Sequence, residues 1–273
     1  MSSRPSTITD LNLELSGKPS AIGSALNRWA VNLKVKAPPT IVHITHWKAG
    51  SQWIRKILEH CASDRIVPPG ETSEQFLNRP VRRGAIYPTV YLTHELYTSV
   101  NLPPSTRHFV IVRDLRDTLV SAYFSFRNVH GDFGNATVKS REILRTVPFE
   151  DGMIHLIENW LADCAQIQWS WHIAGEPLIR YEDLLEDDSI LEEVLYRRCG
   201  LACSLHQVRT AIALNQFQNL TGRERGKEDP SSHERKGIAG DWQNHFTDRI
   251  KDAFKERFNS ILVATGYEFD STW

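Results

Sequence analysis

The chain has 273 residues, 41% of them hydrophobic, with 32 basic and 33 acidic side chains and a formal net charge of −1. That is enough apolar material for one substantial core, and the balance excludes a generic nucleic-acid binder, whose affinity needs a broad cationic surplus. The opening MSSRPSTITDLNLELSGKPS holds no continuous apolar run and no later segment reaches the length of a membrane span, so a soluble, cytoplasmic protein is expected.

Residues 1–38 read as a surface-docked arm with a short helix around 25–33, closed by the prolines of VKAPPT. The run IVHIT (41–45) is a strand, and Trp53, Ile57 and Leu58 recur at helical spacing over 52–61. Residues 62–90 are rich in Pro, Gly and Arg without a sustained period and read as a long excursion. YLTH (91–94) is expected as a short strand, and HFVIV (108–112) as a buried one suited to a parallel sheet. In the RDLRDTLVSAYFSF that follows, Asp114 caps a helix and Asp117 faces back from the N3 position.

A loop over 128–135 precedes an amphipathic helix over 152–172, then a strand PLIRY (177–181) and helices over 189–199 and 204–214. Residues 223–245 are too polar and glycine-containing for a core and form a lid-like loop before a last helix over 248–265. Strands alternating with helices predict one α/β domain over 39–273, a mostly parallel central sheet flanked by helices. Cys61, Cys164, Cys199 and Cys203 are expected as reduced thiols. Cys199, Cys203 and His206 offer too few ligands at a recognised spacing, so no metal is expected.

Three basic sites stand out: Lys48 after the first strand, Arg113 after the third, and Arg235-Lys236-Gly237 in the late loop. Ligands of parallel sheets gather at the carboxyl ends of the strands, which places Lys48 and Arg113 in one crevice that the late loop can close. Ser121 lies eight residues beyond Arg113, about two helical turns, and can face the same place. Such groups suit a ligand with two separated anionic ends.

With these residues in view the chain resembles the cytosolic-type sulfotransferases that use 3′-phosphoadenosine 5′-phosphosulfate (PAPS). HWKAGSQW resembles the family's P-loop-like 5′-phosphosulfate loop, RDLRDTLVS its 3′-phosphate motif, HERKGIAGDWQNHF its RKG-x-x-GDW signature, and YEDL (181–184) a further recurring element. The resemblance implies sulfonate transfer to a hydroxyl or amine of a small-molecule acceptor, without metal. It assigns His94 as the base and Lys48 to the bridging oxygen of the departing phosphate. Lys48, Ala49, Gly50, Ser51 and Gln52 would hold the 5′ end, while Arg113, Ser121, Arg235, Lys236 and Gly237 would hold the 3′-phosphate. Trp53 would stack on adenine, Tyr181 would hydrogen-bond near it, and Phe217 would meet the ring's other face.

The chain also departs from that pattern. Trp47 stands where the family often has Pro, Ser51-Gln52 where it has Thr-Thr, and Leu92 where it frequently has Lys. The late dimer motif is degraded at Gln243, Asp248 and Asp252, so no oligomeric state follows from it. A P-loop nucleoside or small-molecule kinase is the rival reading, although its motif places Gly before the Lys and here Lys48 precedes Gly50. An inactive PAPS-binding relative is the other, opposed by the presence of both Lys48 and His94. The excursions at 62–90 and 127–150 are expected to wall the acceptor pocket, and Phe76, Tyr87, Tyr97, Phe124 and Phe133 point to an apolar or aromatic portion.

Overall fold

A computed structural model describes residues 37–68, 76–128 and 134–273, the side chains of 134–138 excepted. The arm and short helix expected within 1–38, and Phe133, fall outside the described residues. In chain order the elements are β1 (Ile41–Thr45), α1 (Ser51–Ala62), β2 (Ile86–Val90), α2 (His94–Thr98), β3 (Arg107–Val112), α3 (Leu115–Asn128), α4 (Gly134–Thr146), α5 (Phe149–Asn159), α6 (Leu161–Ile173), β4 (Leu178–Arg180), α7 (Tyr181–Glu186), α8 (Ser189–Glu192), α9 (Leu205–Leu214), α10 (Phe217–Thr221) and α11 (Asp248–Ala264). α8 runs directly into a π-turn, Glu193–Arg198.

The four strands form one parallel sheet in the order β2-β1-β3-β4. β1 is central and wholly buried, its polar His43 and Thr45 included, and the His43 Nδ1 is satisfied by the Pro88 carbonyl at 2.7 Å. Ile41, Ile86, Phe109 and Ile111 pack toward Ile54, Ile57 and Leu58 of α1 and Val208 and Ile212 of α9. Val42, Ile44, Val110 and Val112 pack on the opposite face with Ile167 and Trp171 of α6. From β1 the chain crosses to β2 on one side, then returns to β3 on the other. The turns after β1 and β3 therefore meet at the point where strand order reverses, the place where open α/β sheets bind ligands.

Several sequence expectations need correction. The second strand is Ile86–Val90 rather than 91–94, and His94 instead opens α2, whose N-cap Thr93 accepts from the Leu96 amide. Pro88 lies within β2; a proline is tolerated there because β2 is an edge strand. The helix expected over 152–172 is broken at Trp160, whose backbone leaves helical geometry at φ −137°, ψ −42°. Just before it, Asn159 Nδ2 donates to the His155 carbonyl at 2.9 Å, a side-chain bond that competes with continuation of the helix.

Phe76, Tyr87 and Tyr97 are core residues and do not wall a pocket; the Phe76 ring meets Tyr87 edge-on at 4.8 Å and Tyr97 at 6.1 Å. Tyr87 is buried because it lies in β2, and Phe76 packs between it and Tyr97 of α2.

Candidate active site

The loop after β1 is shaped by two left-handed residues, Lys48 at φ +66° and Gly50 at φ +84°. A left-handed lysine costs about 1–3 kcal/mol and persists only where the surroundings hold it. Here the Lys48 carbonyl accepts from Arg113 Nη1 at 3.0 Å. Gly50 also lies so close to Tyr181 that a Cβ would come within 2.7 Å of its ring. α1 then starts without a side-chain cap and without an acidic residue in its first turn, which leaves its leading amides available to an anion.

His46 ties the two strand ends together. Its Nδ1 meets the Trp47 carbonyl at 2.9 Å, and the Arg113 amide donates to its Nε2 at 3.2 Å. Burial, the largest cause, pushes its pKa down to about 4, so the ring is neutral with the proton on Nδ1.

Arg113 is the hub on the β3 side. Besides Lys48 it reaches the Ile238 carbonyl at 3.5 Å, lies 4.8 Å over the Tyr181 ring, and stands 3.8 Å from Asp117. Its Nε is buried with no hydrogen-bond partner, as is the indole Nε1 of Trp53. Asp117 does not face back on its own helix as expected. Its two oxygens accept from the Gly240 and Trp242 amides at 2.7 and 2.9 Å, so it anchors the late loop beside Arg113.

Lys48 Nζ donates to Ser125 Oγ at 2.9 Å, one turn beyond Ser121 on α3. Burial first, and then the charge of Arg113, lower its pKa to about 8. In the late loop, Arg235 and Lys236 both pair with Asp241, Lys236 at 2.5 Å, and Asn244 and His245 donate to the same carboxylate at 3.0 and 3.2 Å. These donors hold the Asp241 carboxyl far below the usual carboxylate range even though burial opposes them. Arg223 braces the loop from inside, donating to the Arg235 carbonyl at 2.8 Å. Gly237, at φ +64°, packs on Phe217 so tightly that a Cβ would lie 2.4 Å from the ring.

One cleft of about 210 Å³ collects most of the expected residues: Lys48, Gly50, Ser51, Gln52, Trp53, Arg113, Ser121, Tyr181, Phe217, Arg235, Lys236 and Gly237. Two stand apart from this wall. Ala49 is fully buried, and His94 is half-buried, its amide donating to Ser170 Oγ at 3.0 Å and its ring edge-on to Trp171 at 5.0 Å. The sequence reading missed Tyr91, Leu185, Asn215, Leu220, Arg225, His233, Glu234 and Ile238, all of which line the cleft. Tyr91 had a usable signal, since it immediately follows the carboxyl end of β2, as had His233, Glu234 and Ile238, which flank the RKG triplet, and Leu185, which follows YEDL; Asn215, Leu220 and Arg225 come from segments with no such marker.

The residues fit a nucleotide with two anionic ends. Cations from the β1 end and the late loop line one cleft with the rings of Trp53, Tyr181 and Phe217, and the Arg113 Nε and Trp53 Nε1 groups are buried without a hydrogen-bond partner. Among the described residues no group of three or more His, Cys, Asp or Glu could hold a metal ion. No helix among them is long and apolar enough to cross a membrane.

Residues 38–266 match the family model described as Sulfotransferase domain. Human Sulfotransferase 2A1 is 22% identical over 255 residues, covering 82% of this chain and 84% of that protein. Gorilla Sulfotransferase 6B1 is 26% identical over 251 residues, covering 82% and 77% respectively. Among solved structures, mouse sulfotransferase SULT7A1 complexed with PAP superposes with a TM-score of 0.55 at 17% identity, covering 84% of this chain and 89% of that one, a likeness of fold.

Proposed function

The chain belongs to the sulfotransferase domain family, and from that premise we propose that it moves a sulfonate from PAPS to a hydroxyl or amine of a small-molecule acceptor, by in-line transfer. The observation that carries this reading is the cleft itself. Lys48 and the uncapped start of α1 offer one anion site, Arg113, Ser121 and the late loop offer another, and Trp53, Tyr181 and Phe217 line the same cleft. PAPS supplies an already activated sulfonate when bound, so the protein's work is placement and electrostatic stabilisation.

Lys48 faces the charge that grows on the departing phosphate. Its ammonium rests on a neutral hydroxyl, that of Ser125, and needs to break no ion pair to move toward a new anion. Arg113 offers its unpartnered Nε to the 3′-phosphate, and Trp53 offers its indole N–H and face near adenine. Gly50 and Gly237 keep Tyr181 and Phe217 against the backbone, where side chains would push the rings into the cleft. His94 takes the acceptor proton. Its support is the family resemblance and its position three residues beyond Tyr91 of the cleft wall.

The test is incubation with PAPS and a mixed acceptor library, followed by mass spectrometry for products heavier by one sulfonate. Sulfated products from the wild type that vanish with His94→Ala are expected. Full activity in His94→Ala would remove His94 from the role of base, and no product from any acceptor class would contradict the transfer itself.

A further inference from the structure

Two positions where the chain departs from the family pattern, Trp47 and Ser51, both touch Tyr91. Trp47, in place of the usual Pro, stacks on Tyr91 with ring centroids 4.5 Å apart and planes 24° from parallel. Leu92, in place of the frequent Lys, does not do that lysine's work: its side chain is 6% exposed, and its carbonyl accepts from the Trp171 indole at 2.9 Å. Beyond this strand end Tyr91 lines the cleft, as does Lys48, with its phenol 3.2 Å from Ser51 Oγ at the start of α1.

A phenol in this place is a hydrogen-bond donor and not a base. Burial raises its pKa above the ordinary tyrosine value, which keeps the proton on the oxygen. Ser51 can donate to Tyr91 Oη, which leaves the phenolic hydrogen to point into the cleft. Trp47 fixes the ring and Ser51 fixes the oxygen, so the donor is held in place before any ligand arrives.

We infer that Tyr91 is a further site residue at the sulfonate end, donating a hydrogen bond to a sulfonate oxygen of PAPS. This rests on the PAPS reading above. In the transfer, the bond from sulfur to the bridging oxygen breaks with its electron pair going to the 5′-phosphate. The bond from the acceptor atom to sulfur forms, the acceptor proton goes to His94, and Tyr91 keeps its own proton throughout.

PAP lacks the sulfonate, which gives a direct test. Tyr91→Phe removes one oxygen and retains the ring stacked on Trp47, and its affinities for PAP and PAPS are measured by calorimetry beside the wild type. PAP affinity within about twofold of wild type and PAPS affinity about tenfold weaker are expected for the loss of a hydrogen bond to an anion. Equal weakening of both ligands would show that the phenol only braces Ser51, and no change in either would show that it touches neither; both results overturn the inference. Failure of the wild type to bind PAP would instead overturn the PAPS reading on which it rests.

Discussion

Lys48, at the end of β1, holds its ammonium on the Ser125 hydroxyl, whereas Arg235 and Lys236, in the late loop, both sit on the Asp241 carboxylate. The first arrangement leaves a positive charge hydrogen-bonded only to a neutral group, and its cost shows as a pKa lowered to about 8. The second neutralises its cations in advance and uses them to fix the loop. An anion at the β1 end meets a charge ready to respond, while an anion at the late loop meets a prebuilt frame of backbone and shared charge. The difference suits a reaction in which charge changes at one end of the ligand and stays constant at the other.

The strongest way to break that comparison is Lys48→Ala. It is expected to lower the turnover number by about 10²–10³-fold, the usual loss when a group facing developing transition-state charge is removed. A fall in PAPS affinity with turnover unchanged would show that Lys48 only binds. Asp241→Asn comes next, and its effect should appear in stability. Removing the charge on which Arg235 and Lys236 rest is expected to cost about 3–5 kcal/mol in denaturant unfolding, as for other buried pairs broken on one side. Unchanged stability would mean that the late loop is held without Asp241 by its other contacts, among them Asp117, Arg223, and the Arg235–Glu228 and Lys56–Glu234 pairs.

The smallest effect is the most specific. Burial lowers the Lys48 pKa to about 8 in the free protein, and a bound phosphate favours the charged form and raises it again. PAP should therefore bind best below pH 8, weaken as pH rises through that value, and take up a proton on binding in that range. Calorimetry in buffers of different ionisation enthalpy measures the uptake, which Lys48→Ala should abolish. A wild type without uptake would contradict the assignment of the shift to Lys48.

The sequence made the cleft legible where chemistry and strand ends coincide. Lys48, Arg113 and Ser121 could be placed together because β1 and β3 are buried apolar runs whose carboxyl ends are easy to find. Pro88 obscures β2, because an edge strand tolerates proline but a periodicity argument does not, and this shifts the expected strand to 91–94 and hides Tyr91. The break at Trp160 lies between two stretches of continuous apolar spacing and depends on a local side-chain bond. The role of Asp117 was hidden for another reason. Its partners, the Gly240 and Trp242 amides, lie more than a hundred residues away, and no local rule connects them.

The central claim is a two-ended anion site that takes PAP without a metal. Its most direct test is a calorimetric titration of the protein with PAP in the presence of a chelator, repeated with Arg113→Ala. Saturable binding by the wild type, weakened at least about tenfold in the variant, is the expected result if Arg113 holds the 3′-phosphate as proposed, through charge-assisted hydrogen bonds. No binding of PAP, or tighter binding of Mg-ATP than of PAP, would contradict the account.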